Sequence, residues 1–228
     1  MSISLVVNTQ VSVSRDERSK QKGEILSEAL AVETDENLML EVKGGNEAAF
    51  SVLVERHSRL VYGTVAKMMG SSHSSDVEDV AQEVFVRVYR SAGRYQPTAK
   101  FTTWLMTITR NCVFTAYRKH QRRKAEFKLL DAAKENDEGE KAELDFKDDS
   151  TQDASQTMLQ QEMEKTVNLK IAALPEKQRM ALVLRQYHQM DYEEIAKVMK
   201  TSVSSVKSLL FRARDTLRNE LQAYLSAT

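Results

Sequence analysis

Residues Asp191–Arg214 read DYEEIAKVMKTSVSSVKSLLFRAR. Asp191 is a helix-capping residue, and Glu194 three positions on completes a capping-box pair. Ile195, Ala196 and Met199 then recur at helical spacing, and Thr201 to Val203 make a tight turn. From Ser204 to about Leu221 a second helix follows, with Val206, Leu210 and Ala213 facing inward. Two helices joined by a short turn, with the small Ala196 at their crossing, form a helix-turn-helix. Ser204, Ser205, Lys207, Ser208, Phe211 and Arg212 lie on the early, outward part of the second helix. Lys and Arg can meet phosphate or guanine, and Phe can meet a thymine methyl. A plain helical hairpin with a solvated basic face fits the same residues, so this stretch alone leaves both readings open.

Upstream, helix is expected again from about Gln156, with Met158, Met163, Val167, Ile171 and Leu174 close to one face. Pro175 suits the first turn of a new helix, which Met180 to Tyr187 carry to His188. Residues 124–155 break the pattern. Over 126–165 thirteen acids face five bases, the composition of a flexible acidic linker.

Val84–Ala125 has the opposite character. Ten Lys and Arg occupy these 42 residues without one Asp or Glu, although the whole chain has a formal net charge of zero. Trp104, the sole tryptophan, lies among Tyr95, Phe101, Phe114 and Tyr117. Cations attract phosphate and aromatic faces stack unpaired bases, so this stretch reads as a nucleic-acid surface. Its second half, Phe101 to about Gln121, is helical. Phe101, Trp104, Leu105, Ile108 and Cys112 form the inner stripe, while Thr103, Thr107, Arg110, Asn111, Phe114 and Arg118 point elsewhere.

Before it, Leu38 to Val42 form a helix stopped by Gly44-Gly45. Asn46 caps a helix that runs to Gly70. Asp76 opens another, with Val77, Val80, Ala81, Val84 and Val88 in one apolar stripe. Residues 1–34 read as a loose tail, with a weak helix over Gly23–Ala31. The expected architecture is all-α: a four-helix domain over 35–123 and a helix-turn-helix domain over 156–224, joined by the acidic linker 124–155.

Composition agrees. Two prolines and seven glycines in 228 residues favour helix, and 41% hydrophobic residues can build packed cores. Cys112 is the one cysteine, which excludes an intrachain disulfide and suits a reducing cytoplasm. Met1–Val11 lacks a signal-peptide pattern, and no apolar run is long enough to span a membrane. Gly44-Gly45 is not followed by the Lys-Ser/Thr of a phosphate loop. The four histidines are scattered, and no metal-ligand spacing, cofactor motif or nucleophile motif is present.

Five stretches together carry a family likeness. They are Asp76-Val-Glu-Asp-Val-Ala-Gln-Glu-Val-Phe85, Phe101-Thr-Thr-Trp-Leu105, Arg110-Asn111 with the basic run after it, Leu174-Pro-Glu176, and the helix-turn-helix ending Val206–Arg214. In this order the chain resembles an RNA polymerase sigma factor of the extracytoplasmic-function type, over about residues 36–222. The resemblance implies that Asp76, Asp79, Gln82 and Glu83 dock on the clamp helices of core RNA polymerase. It implies that Arg94, Tyr95, Lys100, Thr107, Arg110, Asn111, Phe114, Arg118 and Arg122 handle the opened −10 element. The helix-turn-helix would read the −35 element as duplex, the polymerase flap would be a further contact, and an anti-sigma factor would be a partner. No cofactor, metal or enzymatic activity is implied. A stand-alone helix-turn-helix regulator is the alternative. Thr115 and Leu209 depart from the family pattern, which usually has an Asp and a basic residue there.

Overall fold

The computed structural model describes residues 30, 32–70, 74–131 and 154–227, which contain helices and connecting turns and no strand. Eight α-helices follow in order: α1 Asp35–Lys43, α2 Glu47–Met69, α3 Ser74–Ser91, α4 Phe101–Asp131, α5 Ala154–Ala173, α6 Glu176–Gln186, α7 Tyr192–Met199 and α8 Val203–Ala227. A single 3₁₀ turn, Ala92–Arg94, follows α3.

Local chemistry sets the helix ends. The Thr34 hydroxyl accepts from Asn37 N at 3.3 Å, and Asn46 Oδ1 accepts from the amides of Ala48 and Ala49. The Phe101 amide at the start of α4 donates to Glu36 Oε1 of α1 at 2.7 Å, so an acid from another helix satisfies this N-terminus. Asp191 caps α7 with a full capping box. Lys200 closes α7 in the left-handed region at φ 52, a place where glycine would be less strained.

Helices α1 to α4 bury Leu38, Met39, Leu53, Val61, Val84 and Leu105 almost completely. Each such side chain contributes about 1.5–3 kcal/mol on leaving water. In the second group, α6 packs on α7 and α8, and α5 lies along α8. The two groups are not separate bodies here. Helix α7 packs on α4, and α6 and α5 pack on α2. Met180, Val183, Leu184 and Ile195 belong to the same apolar cluster as Leu53 and Leu105.

Several boundaries differ from the sequence expectation. Helix α4 continues to Asp131, through the first residues of the expected linker 124–155, because the Lys, Ala, Glu and Leu that make up most of 124–131 are good helix formers. Pro175 is the N-cap of α6 rather than its first-turn residue. Part of the expected tail 1–34 is anchored: Leu30 is buried, and Arg56 donates to the carbonyls of Leu30 and Glu33. The Gly23–Ala31 helix and most of the linker lie outside the described residues.

Arg179 and His188 are among the polar groups that join the halves. Arg179 of α6 is buried and donates to the Met68 carbonyl at the end of α2, to the Tyr117 hydroxyl of α4 (2.6 Å) and to its own Leu174 carbonyl (2.9 Å). Tyr117 also donates to the Met68 carbonyl. His188 Nε2 meets the Thr64 hydroxyl of α2 at 2.7 Å. Burial pushes the His188 imidazole below its ordinary pKa and holds it neutral.

Arg179→Ala strips the buried Met68 and Leu174 carbonyls of a donor. It should cost about 2–4 kcal/mol in denaturant unfolding of the full chain. For His188 the unfolded chain binds the proton more readily than the folded one. Its contribution is therefore complete above the ordinary histidine pKa of about 6.5, and is lost as the pH falls below that value. Melting temperatures between pH 7 and 5 should drop more steeply in the native chain than in His188→Asn. Parallel curves would show that the histidine does not carry the effect.

Candidate nucleic-acid interface

Helix α4 presents Thr107, Asn111, Phe114, Arg118 and Arg122 at three- and four-residue intervals, so they share one face. Exposure grows along it: Thr107, Asn111 and Phe114 are half-buried, and Arg118 and Arg122 are exposed. The Arg110 guanidinium lies 5.1 Å from the Phe114 ring centre and donates to Asn111 Oδ1 at 3.1 Å. Burial and the neighbouring Arg118 cation both lower its pKa. An anion on this face would relieve that repulsion. The helix thus offers a positively charged, ring-bearing strip, suited to the phosphates and faces of an unpaired strand.

At the start of α4 the strip meets a recess of about 160 Å³, lined by Gln96, Thr98, Ala99, Thr103, Trp104 and Thr107, with Lys197 of α7 opposite. Trp104 is half-buried and stacks edgewise on Tyr95 at 5.0 Å. Arg94 and Lys100 are exposed on the loop beside it.

Two placements correct the sequence reading. Tyr95, expected on the −10 surface, is 2% exposed and packs between Phe101 and Trp104. Burial is the first cause that raises its phenol, to about 12. A chain of aromatics beside a loop can line a core as readily as a surface, and here the loop folds Tyr95 inward, where Lys43 holds its carbonyl at 3.3 Å. Thr103, expected to point away from the core, is also buried.

The helix-turn-helix is built as expected. Val206, Leu210 and Ala213 are buried, and Ser204, Lys207, Ser208, Phe211 and Arg212 are exposed, Phe211 by 72%. Ser205 is half-buried, and its amide donates to the Ser202 hydroxyl at 3.2 Å, capping the helix. Leu209, expected near the DNA-facing side, is half-buried against the core, which accounts for an apolar residue there. Thr115 is exposed and its hydroxyl returns to the Asn111 carbonyl.

Helix α3 carries the acidic face. Asp79 and Gln82 are exposed. Asp76 pairs with His120 at 2.8 Å and Glu83 with Arg87 at 2.6 Å. These groups border a cleft of about 180 Å³ between α3 and α4, whose floor includes Cys112. Burial is the main reason the Cys112 thiol rises to about 11, so it stays protonated.

Sequence reasoning missed three residues: Arg179, His188 and the second role of Glu194. Glu194 completes the α7 capping box, and its other oxygen lies 2.8 Å from the Lys100 ammonium. No local signal could show that contact, because it joins residues 94 positions apart. Among the described residues no cluster of three His, Cys, Asp or Glu could hold a metal, and no helix is long and apolar enough to cross a membrane.

Family comparison matches Sigma-70 region 2 over residues 53–123 and Sigma-70, region 4 over residues 166–217. The first spans the α3 and α4 surfaces and the second the helix-turn-helix, which defines the class as a promoter-recognition factor of bacterial transcription. Among curated relatives, the RNA polymerase sigma-H factor of Pseudomonas aeruginosa is 33% identical over 196 residues, 86% of this chain and 98% of the relative. The ECF RNA polymerase sigma-E factor of Escherichia coli K12 is 34% identical over 189 residues, 83% of this chain and 95% of the relative. In fold, the chain is similar to CnrH in its complex with the cytosolic domain of CnrY (TM-score 0.58, 24% identity, 84% of this chain and 99% of that one). It is also similar to Bartonella quintana sigma factor RpoE bound to the anti-sigma factor NepR (TM-score 0.56, 19% identity, 76% and 96%). The chain belongs to the extracytoplasmic-function sigma factors of the sigma-70 family. Its function is that of a sigma factor in transcription initiation, and the stand-alone regulator alternative falls away.

Proposed function

We propose that this sigma factor divides its work among the three surfaces described above. The α3 face, with Asp79 and Gln82 exposed and Asp76 and Glu83 held by neighbouring cations, docks on core RNA polymerase. Arg94, Lys100 and the strip Thr107–Arg122 of α4 hold the opened −10 strand. The exposed residues of α8 read the −35 duplex. Residues 35–123 and 156–224 act as the two working units, with the acidic linker between them. The observation that carries this reading is the partly exposed stripe of α4, where the Phe114 ring and the Arg118 and Arg122 cations share one helix face beside the Trp104 recess. Duplex readers need hydrogen-bonding groups aimed into a groove; a strand holder needs rings and spaced cations.

The protein acts with polymerase in the cytoplasm and performs no covalent chemistry of its own. An anti-sigma factor is a further partner on this reading, supported by the antagonist named in the complex of its structural relative. The flap of polymerase would hold the helix-turn-helix unit.

Asp79→Arg should lower affinity for core polymerase at least about tenfold, the range of a charge reversal against a complementary patch, with helicity by circular dichroism unchanged. Full binding would remove Asp79 from the docking face. Lys207→Ala with Arg212→Ala should weaken −35 duplex binding by the holoenzyme, at about 1–3 kcal/mol for each base-reading contact. Lys100→Ala with Arg118→Ala should instead reduce permanganate reactivity of the −10 region while −35 protection persists. Loss of both signals together in either double variant would refute the division of labour.

A further inference from the structure

The recess beside α4 is walled on one side by Gln96, Thr98 and Ala99, from the loop that leads into the helix. On another side it is walled by Thr103, Trp104 and Thr107 of the helix itself. Its width therefore depends on where the loop stands relative to α4. Within the loop a tight turn closes around Pro97, with the Thr98 amide donating to the Gln96 carbonyl at 2.8 Å. Both ends of the loop are held by α1. At the start, the Lys43 ammonium donates to the Tyr95 carbonyl at 3.3 Å. At the end, the Phe101 amide donates to Glu36 Oε1 at 2.7 Å. Glu36 and Lys43 are seven positions apart, so they share one face of α1, about 10 Å apart along its axis. Met39 lies between them on that face and is buried, as are Leu38 and Val42, which seats α1 firmly in the core. Helix α1 also packs on the 3₁₀ turn that precedes the loop. A rigid helix that contributes nothing to the lining of the recess thus sets both ends of one of its walls.

We propose that α1 is a two-point clamp on the strand-reading loop, and that Glu36 and Lys43 are positioning residues for −10 recognition. By pinning Phe101 and Tyr95 they set the width of the recess that seats a base of the opened strand. The proposal rests on the reading of Arg94–Lys100 and the Trp104 recess as part of the −10 strand site. A wall held in place discriminates, because a base of the wrong shape meets groups that do not move aside; a loose wall re-packs around it. Loss of either anchor should therefore cost selectivity between bases more than affinity for the strand. The backbone groups held at each end are paired with a charged side chain, the stronger kind of hydrogen bond, which suits them to carry this constraint.

The test uses the holoenzyme and labelled single-stranded oligonucleotides carrying the −10 element of a mapped promoter or one of its single-base variants, read by fluorescence anisotropy. Gln96→Ala with Thr98→Ala first identifies the base that the recess reads, as the position where the preference for the native base is lost. At that same position Glu36→Ala and Lys43→Met should each reduce the preference about five-fold, the weight of one hydrogen bond. Binding of the −35 duplex should stay as in the native chain. Glu36→Gln keeps an acceptor for the Phe101 amide and Lys43→Arg keeps a donor for the Tyr95 carbonyl, so both should restore most of the preference. Each variant is assayed below its own melting temperature, where a role in stability alone would not produce this order. Lys43 is exposed, so Lys43→Met tests the clamp even where Glu36→Ala fails to fold. Glu41→Gln removes an exposed acid from the same helix and should match the native chain.

An unchanged preference in Lys43→Met would overturn the proposal. So would an equal loss of affinity for every oligonucleotide, which would make Lys43 a phosphate contact instead. The wall variant separates the two levels. If Gln96→Ala with Thr98→Ala keeps its preference at every position, the strand-site reading fails and the clamp with it. If that variant loses preference at a position where Lys43→Met and Glu36→Ala keep it, the clamp alone is refuted.

Discussion

The Met68 carbonyl, at the last turn of α2, has no partner within its own helix and faces the protein interior. A helix end buried without donors is costly, because each orphan carbonyl forfeits its water. Here the donors come from two other helices, Arg179 of α6 and Tyr117 of α4. One carbonyl thereby ties three helices, and it ties α4 to the helix-turn-helix unit. The arginine is suited to this because its guanidinium presents several donors in a fixed plane, and it serves Met68, Tyr117 and Leu174 at once. Burial lowers its pKa, with the Tyr117 and Glu176 surroundings opposing that shift. A residue that must keep its charge in a buried place is best filled by the side chain that gives up its proton least readily.

The same junction explains Gly70. Helix α2 ends there at φ 72, and a Cβ at that position would sit 3.3 Å from the Ala172 side chain of α5. Positive φ and close approach both favour glycine. The stop of α2, the seat of Arg179 and the approach of α5 are therefore one arrangement.

Much of this was legible in the residues themselves. Apolar spacing placed the stripe of α3, the turn-separated helices α7 and α8, and the inward Val206, Leu210 and Ala213. The capping pair at Asp191 and Glu194 was equally plain. What failed did so for definable reasons. Tyr95 was assigned to the DNA surface because aromatic residues serve cores and surfaces alike, and a loop with Pro97 has no period to decide between them. Thr103, on the first turn of α4, was read outward because its hydroxyl suggested a polar face, yet it is buried beside the Phe101 and Leu105 stripe. The length of α4 was underestimated because charge composition marked a boundary where helix propensity did not. Arg179, His188 and the Lys100–Glu194 pair are contacts between distant positions, which no window along the chain contains.

The basic stretch Val84–Ala125 gains most from the coordinates, since they sort cations that composition treats alike. Arg87 is held by Glu83, whose hydrogen bond also raises its pKa, so its charge is partly balanced within α3. Lys100 has a carboxylate partner of its own, whose hydrogen bond raises its pKa as well. Arg110 is turned along Phe114 and Asn111, where it shapes the strip more than it projects from it. Arg118 and Arg122 project outward. Long-range attraction of DNA depends on the summed field of all these charges, but position on the strand depends on the few that point outward from a rigid helix. The excess charge of the stretch and the precision of its contacts are therefore supplied by different residues.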